Sequence, residues 1–146
     1  MDKYMQEALK EAKKALKYDD VPIGAIIVSN GKIIARAHNQ KEKSQQATKH
    51  AEITAIEKAC KKNKSWYLDN CELYITMEPC LMCCGAIIQA RIAKVIYGTD
   101  NEKFGYVKSV DKVFENNNNH KPIIISGICE AECRQLVKEF FETKRK

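Results

Sequence analysis

Glycine and proline are scarce, six and three in 146 residues, and only 8% of the chain is aromatic. A collagen-like or low-complexity chain needs far more of the first two, so both are excluded. Long apolar runs are missing as well. Residues 23–28 are among the longest and fall far short of the ~20 residues that cross a bilayer, which excludes an integral helical membrane protein. Met1-Asp2-Lys3 leads into no apolar stretch, so no secretory signal is legible and a cytoplasmic location is expected. The length leaves no room for two ordinary domains; one domain covering residues 1–146 is expected.

What is present fits a folded protein: 45% hydrophobic and 30% charged residues are too apolar a mix for a disordered chain. Seven cysteines are an odd number, and in a reducing compartment thiols serve as metal ligands, nucleophiles or core fillers more than as disulfides. The net charge is +6, which suits a nucleic-acid partner without demanding one. Residues 1–49 hold ten basic and six acidic side chains, 50–100 six of each, and 101–146 nine and seven, so the surplus flanks a neutral middle.

Residues 2–17 place Met5, Ala8, Leu9, Ala12, Ala15 and Leu16 at helical spacing, with Lys10, Lys13, Lys14 and Lys17 on the other side. That basic face is plain solvation or a contact for an RNA backbone. Two short apolar runs, 23–28 and 33–37, are separated by a turn containing Asn30-Gly31, whose residues both tolerate positive φ, so an antiparallel hairpin is predicted. A polar loop, 39–49, leads to Thr48 as N-cap of a helix that begins close to His50, in which Ile53, Ile56 and Cys60 recur at helical spacing. Residues 71–77 read as a third strand, 81–90 as a helix and 94–98 as a fourth strand, a crossover that implies parallel pairing. Residues 101–120 show no clear period and read as loop with short helix. Residues 122–126 are a fifth strand and 130–143 a closing helix, with Cys133, Leu136, Val137, Phe140 and Phe141 on one side. This order predicts an α/β fold in which helices cover a mixed, mostly buried sheet.

The chemistry concentrates in His50-Ala51-Glu52 and Pro79-Cys80-Leu81-Met82-Cys83, each where a helix starts. Cys80 and Cys83, three apart on a helix, share a side and can grip one ion. A helix N-terminus favours thiolate over thiol, and Pro79 fits there because its missing donor is no loss. With His50 as third ligand, one tetrahedral position stays open, as in a catalytic zinc site. Glu52 beside it can take a proton from an activated water and pass it on. Alone, Cys-x-x-Cys is equally a redox pair or two core thiols. The two motifs together, in this order and thirty residues apart, match the His-x-Glu…Pro-Cys-x-x-Cys signature of zinc nucleobase deaminases. Cys84 points away from Cys83 and packs, and Cys60, Cys71, Cys129 and Cys133 fill the core; His38 satisfies a local bond or lines the site's rim, His120 is a solvated loop residue or lines an RNA groove, and Phe140 and Phe141 pack in the core or one of them stacks on RNA.

Val21-Pro22-Ile23-Gly24-Ala25, His50-Ala51-Glu52, the segment from Thr76 to Cys83 and that from Ala90 to Gly98 resemble bacterial tRNA adenosine deaminases, over nearly the whole chain. The resemblance implies a three-layer α/β/α, cytidine-deaminase-like fold on a mixed five-stranded sheet, a homodimer, and conversion of adenosine to inosine at wobble position A34 in the anticodon loop of an arginine tRNA. It makes His50, Cys80 and Cys83 ligands of one Zn2+ per subunit, Glu52 the proton shuttle, and Asn39, Ala51 and Asn101 substrate-binding positions. Asn39 would hydrogen-bond the flipped base. Asn101 stands where the family commonly has Asp, and Phe104 to Lys108 replace a small, glycine-rich turn. A free-base or nucleotide deaminase of the same fold is the nearest rival. A zinc module that merely binds RNA is the rival of another class, and Glu52 argues against it, because a structural site has no use for an acid.

Overall fold

The computed structural model describes residues 1–116 and 119–144. The terminal Lys144-Arg145-Lys146 run, read from sequence as a solvated tail that adds salt-sensitive RNA affinity, lies partly outside them, as do Asn117 and Asn118 of the four-Asn run.

Helix α1, Asp2–Ala15, is followed by a 3-10 turn, Leu16–Tyr18. Strands β1, Gly24–Ser29, and β2, Lys32–His38, form the expected hairpin. Asn30 and Gly31 both take positive φ, 50° and 75°, which matches the right-handed twist of the strands they join. Ile27 pairs with Ala35 but Val28 with Ile33, so Ile34 bulges. The polar loop holds an unforeseen short helix, α2, Lys41–Ser44. The buried Asp20 carboxylate accepts the N–H groups of Glu42, at 2.6 Å, and Lys43, at 3.3 Å, and so pins this helix from a distance in sequence. Helix α3, Ala51–Asn63, strand β3, Cys71–Met77, helix α4, Leu81–Ala90, and strand β4, Lys94–Thr99, follow as predicted. Strand β5 is only Ile123–Ile125, and α5 is Glu130–Lys144.

The five strands lie in the order β2-β1-β3-β4-β5, with β1 antiparallel to β2 and β3, and β4 parallel to β3 and β5. Side chains alternate across this sheet. Ile26, Val28, Tyr74 and Ile96 join Met5, Ala8, Leu9 and Cys133 in the core under α1 and α5. Ala25, Ile27, Leu73, Ile75, Val95 and Tyr97 join Ala51, Ala55, Ala59, Cys84 and Ile87 under α3 and α4. The architecture is therefore three-layered, α/β/α, as expected. Two terminal details differ. Thr48 is not the N-cap of α3; His50 is, because Thr54 N–H bonds the His50 carbonyl at 3.1 Å. Phe141 is exposed, since a residue adjacent to Phe140 is turned ~100° around the helix; its ring meets that of Phe140 edge-on at 5.3 Å instead.

The segment read as loop with short helix holds a 3-10 turn, Val113–Glu115, and its first part has a definite organiser. Residues 101–109 fold around the buried carboxylate of Glu78, which accepts N–H bonds from Asn101 (3.1 Å), Val107 (3.0 Å), Lys108 (2.8 Å) and Ser109 (3.0 Å), and a short bond from the Ser109 hydroxyl. Burial pushes the Glu78 carboxyl up, but these donors outweigh it and hold it below its ordinary range. Gly105 packs so closely that a Cβ would sit 2.3 Å from Glu78 Cδ.

Gly24 is the tightest contact between sheet and helix: a Cβ there would stand 2.1 Å from the Ala8 carbonyl oxygen and 2.4 Å from the Ala12 nitrogen. Both are backbone of α1, so Gly24→Ala forces the helix off the sheet and should cost about 3 kcal/mol in urea unfolding. Unchanged stability would mean α1 is not seated this closely. Glu78→Ala leaves four N–H donors without their acceptor, at a cost of ~1–3 kcal/mol for each that water cannot reach. Trypsin should then cut at Lys103 and Lys108 much faster while circular dichroism stays native; equal cleavage rates would refute the organising role.

Candidate active site

Helices α3 and α4 start alike. The residue before each is extended, His50 at φ −77°, ψ 153° and Cys80 at φ −76°, ψ 177°, and neither caps its own helix with its side chain. Both side chains are thereby left for each other. His50 Nδ1 lies 3.6 Å from Cys80 Sγ and 3.6 Å from Cys83 Sγ, and the three atoms all fall within 4.8 Å of one another. A tetrahedral ion bonded at ~2.3 Å to sulfur and ~2.05 Å to nitrogen separates those two ligands by about 3.6 Å, so the triad has the dimensions of a metal site with three protein ligands. Among the described residues this is the one such group.

Its electrostatics fit a cation. A hydrogen bond from Cys83, followed by pairing with His50, draws the Cys80 thiol down to about 4. Cys83 is pushed well up by the same sulfur contact and by burial. As thiolates the two touching sulfurs repel each other, and a cation held between them would relieve that repulsion. Its hydrogen bond with Cys80 raises His50.

Glu52 is buried in the first turn of α3. Burial raises its carboxyl to about 7, with the Cys80 charge pushing the same way and His50 and a Cys83 hydrogen bond opposing, so it faces the triad. Two helical positions apart, His50 and Glu52 would diverge. They converge because His50 precedes the helix and does not follow its 100° step.

Asn39, at the end of β2, is buried and its Oδ1 accepts the Ala51 N–H at 2.9 Å. This supplies the cap that His50 does not. The bond also identifies the amide's orientation, since only the oxygen can accept. The Nδ2 group makes no hydrogen bond among the described residues and remains a donor. Ala51 is fully buried with its N–H committed to Asn39. Asn101 is half-buried, and its Oδ1 accepts the Phe104 N–H at 3.2 Å, so its side chain shapes the loop around Glu78. Tyr106 N–H bonds the Pro79 carbonyl at 2.9 Å, which brings that loop against the chain just before Cys80.

The residues set aside stay aside. Cys84 donates to the Pro79 carbonyl at 3.7 Å within the core, and burial holds its thiol well up. Cys133 packs against Gly98, and burial pushes it up to about 12. His120 Nε2 meets the Ile92 carbonyl at 2.6 Å, a fold contact and not a groove lining. His38 meets the Asn39 carbonyl at 3.0 Å and stacks parallel to Tyr18 at 6.4 Å. On α1, Lys10 and Lys14 are paired with Glu7 and Glu11 at 2.7 and 2.8 Å. Glu78 was missed in the sequence because its partners are backbone groups of a later loop; Glu-Pro-Cys at a strand's end was its only signal.

The model of the MafB19-like deaminases matches residues 1–145. The tRNA-specific adenosine deaminase of Bacillus subtilis (strain 168) is 44% identical over 144 residues, 98% of this chain and 89% of the relative. That of Aquifex aeolicus (strain VF5) is 40% identical over 142 residues, covering 97% and 94%. A solved structure from a study of A-to-I editing by tRNA A34 deaminases at the wobble position superposes with a TM-score of 0.90 at 39% identity, over 93% of this chain and 99% of the other. Matches of this extent in both sequence and backbone make the chain a member of the MafB19-like deaminase family.

Proposed function

We propose that this protein hydrolyses adenosine to inosine at wobble position A34 in the anticodon loop of an arginine tRNA, releasing ammonia. The observation that carries the reading is the buried Glu52 carboxyl set against a His50, Cys80, Cys83 triad of metal-site dimensions. The tRNA-specific adenosine deaminases named above support the substrate, and the net charge of +6 suits it.

His50, Cys80 and Cys83 would hold zinc, since mixed thiolate and imidazole donors favour that ion. Bound there, zinc supplies the Lewis acidity that makes a water nucleophilic near neutral pH. Glu52 takes a proton from the attacking water and gives it to N1 of adenine as C6 is attacked, then takes the second proton from the new C6 hydroxyl and delivers it to the amino group, which leaves as ammonia as the C6 carbonyl forms. Asn39 offers its Nδ2 to an acceptor on the flipped base, held in place by the Ala51 N–H on its Oδ1. Ala51 thus meets the substrate through Asn39. Asn101 enters through the loop it shapes. An anticodon loop is already single-stranded, so extruding the base costs little.

A homodimer and a cytoplasmic location belong to the same reading. Ile53, Ile56, Cys60, Trp66, Ala86 and Ala90 line an apolar groove of about 600 Å³ along α3 and α4, with Trp66 62% exposed, a face suited to a second copy. All seven cysteines are free, as in a reducing compartment. No helix among the described residues is long and apolar enough to cross a membrane.

Nucleoside mass spectrometry of an arginine tRNA bearing A34 should reveal inosine after incubation with the zinc-loaded protein, and Glu52→Gln should lower the rate by about 10²–10⁴-fold or more. Absence of inosine from the zinc-loaded wild type would refute the tRNA reading and turn attention to free bases and nucleotides. By metal analysis Cys83→Ala should lose zinc and Cys84→Ala should retain it; the reverse would overturn the ligand assignment. Sedimentation equilibrium should give twice the chain mass, and Ala86→Arg should shift it toward one chain. A monomeric wild type would remove the dimer.

A further inference from the structure

We propose that Phe104 is a stacking platform for a nucleobase adjacent to the reactive adenosine; this deepens the tRNA reading above and rests on it. Phe104 is 64% exposed, the most exposed large hydrophobic side chain among the described residues. An exposed ring on a floppy loop would mean little, but this backbone is held on every side. The Phe104 N–H is bound by Asn101 Oδ1, and the next N–H, of Gly105, by the Asn101 carbonyl at 2.8 Å. Asn101 itself is tied to Glu78, as are Val107, Lys108 and Ser109 further on. Only the two side-chain torsions of Phe104 are left to freeze on binding, so a base stacking there loses little conformational freedom.

The other apolar side chains of the loop turn inward: Val107 is buried in the core under α3 and α4, and Tyr106 packs against it. Of residues 101–109 Phe104 is the apolar side chain that points out, and Val110 just beyond is less exposed, at 46%. Tyr18, Trp66 and Phe141, also exposed, each have a ring partner, in His38, Tyr67 and Phe140. Phe104 makes no ring contact among the described residues. Its place suits a base. It stands two residues before Tyr106, which is bonded to Pro79, the residue preceding Cys80. An adenosine that reaches Glu52 leaves its own stack and strips its neighbours of a stacking face. A ring fixed at the rim replaces what they lose. Lys103 beside it makes no ion pair among the described residues and is available to a phosphate, although Glu102 is nearby and Lys108 is paired with Asp100 at 3.3 Å.

The test uses zinc-loaded protein and three anticodon stem-loop RNAs carrying A34: one intact, one abasic at position 33, one abasic at position 35. Binding is measured by anisotropy with Glu52→Gln, which prevents turnover, and with the same variant bearing Phe104→Ala or Phe104→Trp. On the intact RNA Phe104→Ala should raise Kd about 5- to 150-fold and Phe104→Trp should restore it. On one abasic RNA the Phe104→Ala effect should shrink to within twofold, since the base that stacks is gone. An unchanged Kd on the intact RNA, or a loss that persists on both abasic RNAs, overturns the platform. Inosine formation by the wild type on the intact RNA, run in parallel, separates that failure from failure of the tRNA reading, which would overturn both.

Discussion

Everything at the site depends on one constraint: a helix that begins in the interior must find acceptors for its first N–H groups. The usual solution is for the residue before the helix to cap it with its own side chain. His50 and Cys80 occupy that position in α3 and α4 and do not do so. Their side chains are spent on each other and on Cys83, so the capping duty passes elsewhere, at α3 to Asn39. One hydrogen bond therefore does two things. It satisfies the helix, and it fixes the orientation of the Asn39 amide, leaving its Nδ2 as a donor.

The sheet explains why these pieces meet. Strands β3 and β4 run parallel, so the chain leaves both at the same edge. From the end of β3 come Glu78, Pro79 and Cys80, and from the end of β4 the loop that wraps Glu78. The Glu78 N–H bonds the Thr99 carbonyl at 2.8 Å and ties the two exits together. Carboxyl ends of parallel strands are where open α/β sheets place their ligands, and the same geometry operates here. The antiparallel half of the sheet contributes Asn39 from the end of β2.

Much of this was legible in the residues. Asn30-Gly31 announces its hairpin because both positions need positive φ, and Cys80 and Cys83, with His50 upstream, announce a metal site because the spacing of the two thiols is a local property. What escaped has the opposite character. Asp20 binds the start of α2 from 22 residues away and Glu78 gathers a loop 23 to 31 residues on, through backbone groups that every residue possesses. No periodicity records such contacts. The N-cap at His50 instead of Thr48 was hidden for a related reason: the acceptor that relieves His50 of side-chain capping, Asn39, belongs to another element.

The anchoring of residues 101–109 by main-chain amides has an evolutionary side. Because Glu78 grips N–H groups that survive almost any substitution, the outward side chains of this loop can change without unmaking its shape. The exceptions are Gly105, the inward Val107, Asn101, whose Oδ1 accepts the Phe104 N–H, and Ser109, whose hydroxyl also bonds Glu78. Variation of this surface is thereby uncoupled from variation in stability. Substitution at the outward positions therefore changes the chemistry this surface presents while leaving the His50, Cys80 and Cys83 group, which the loop touches through Pro79, where it is.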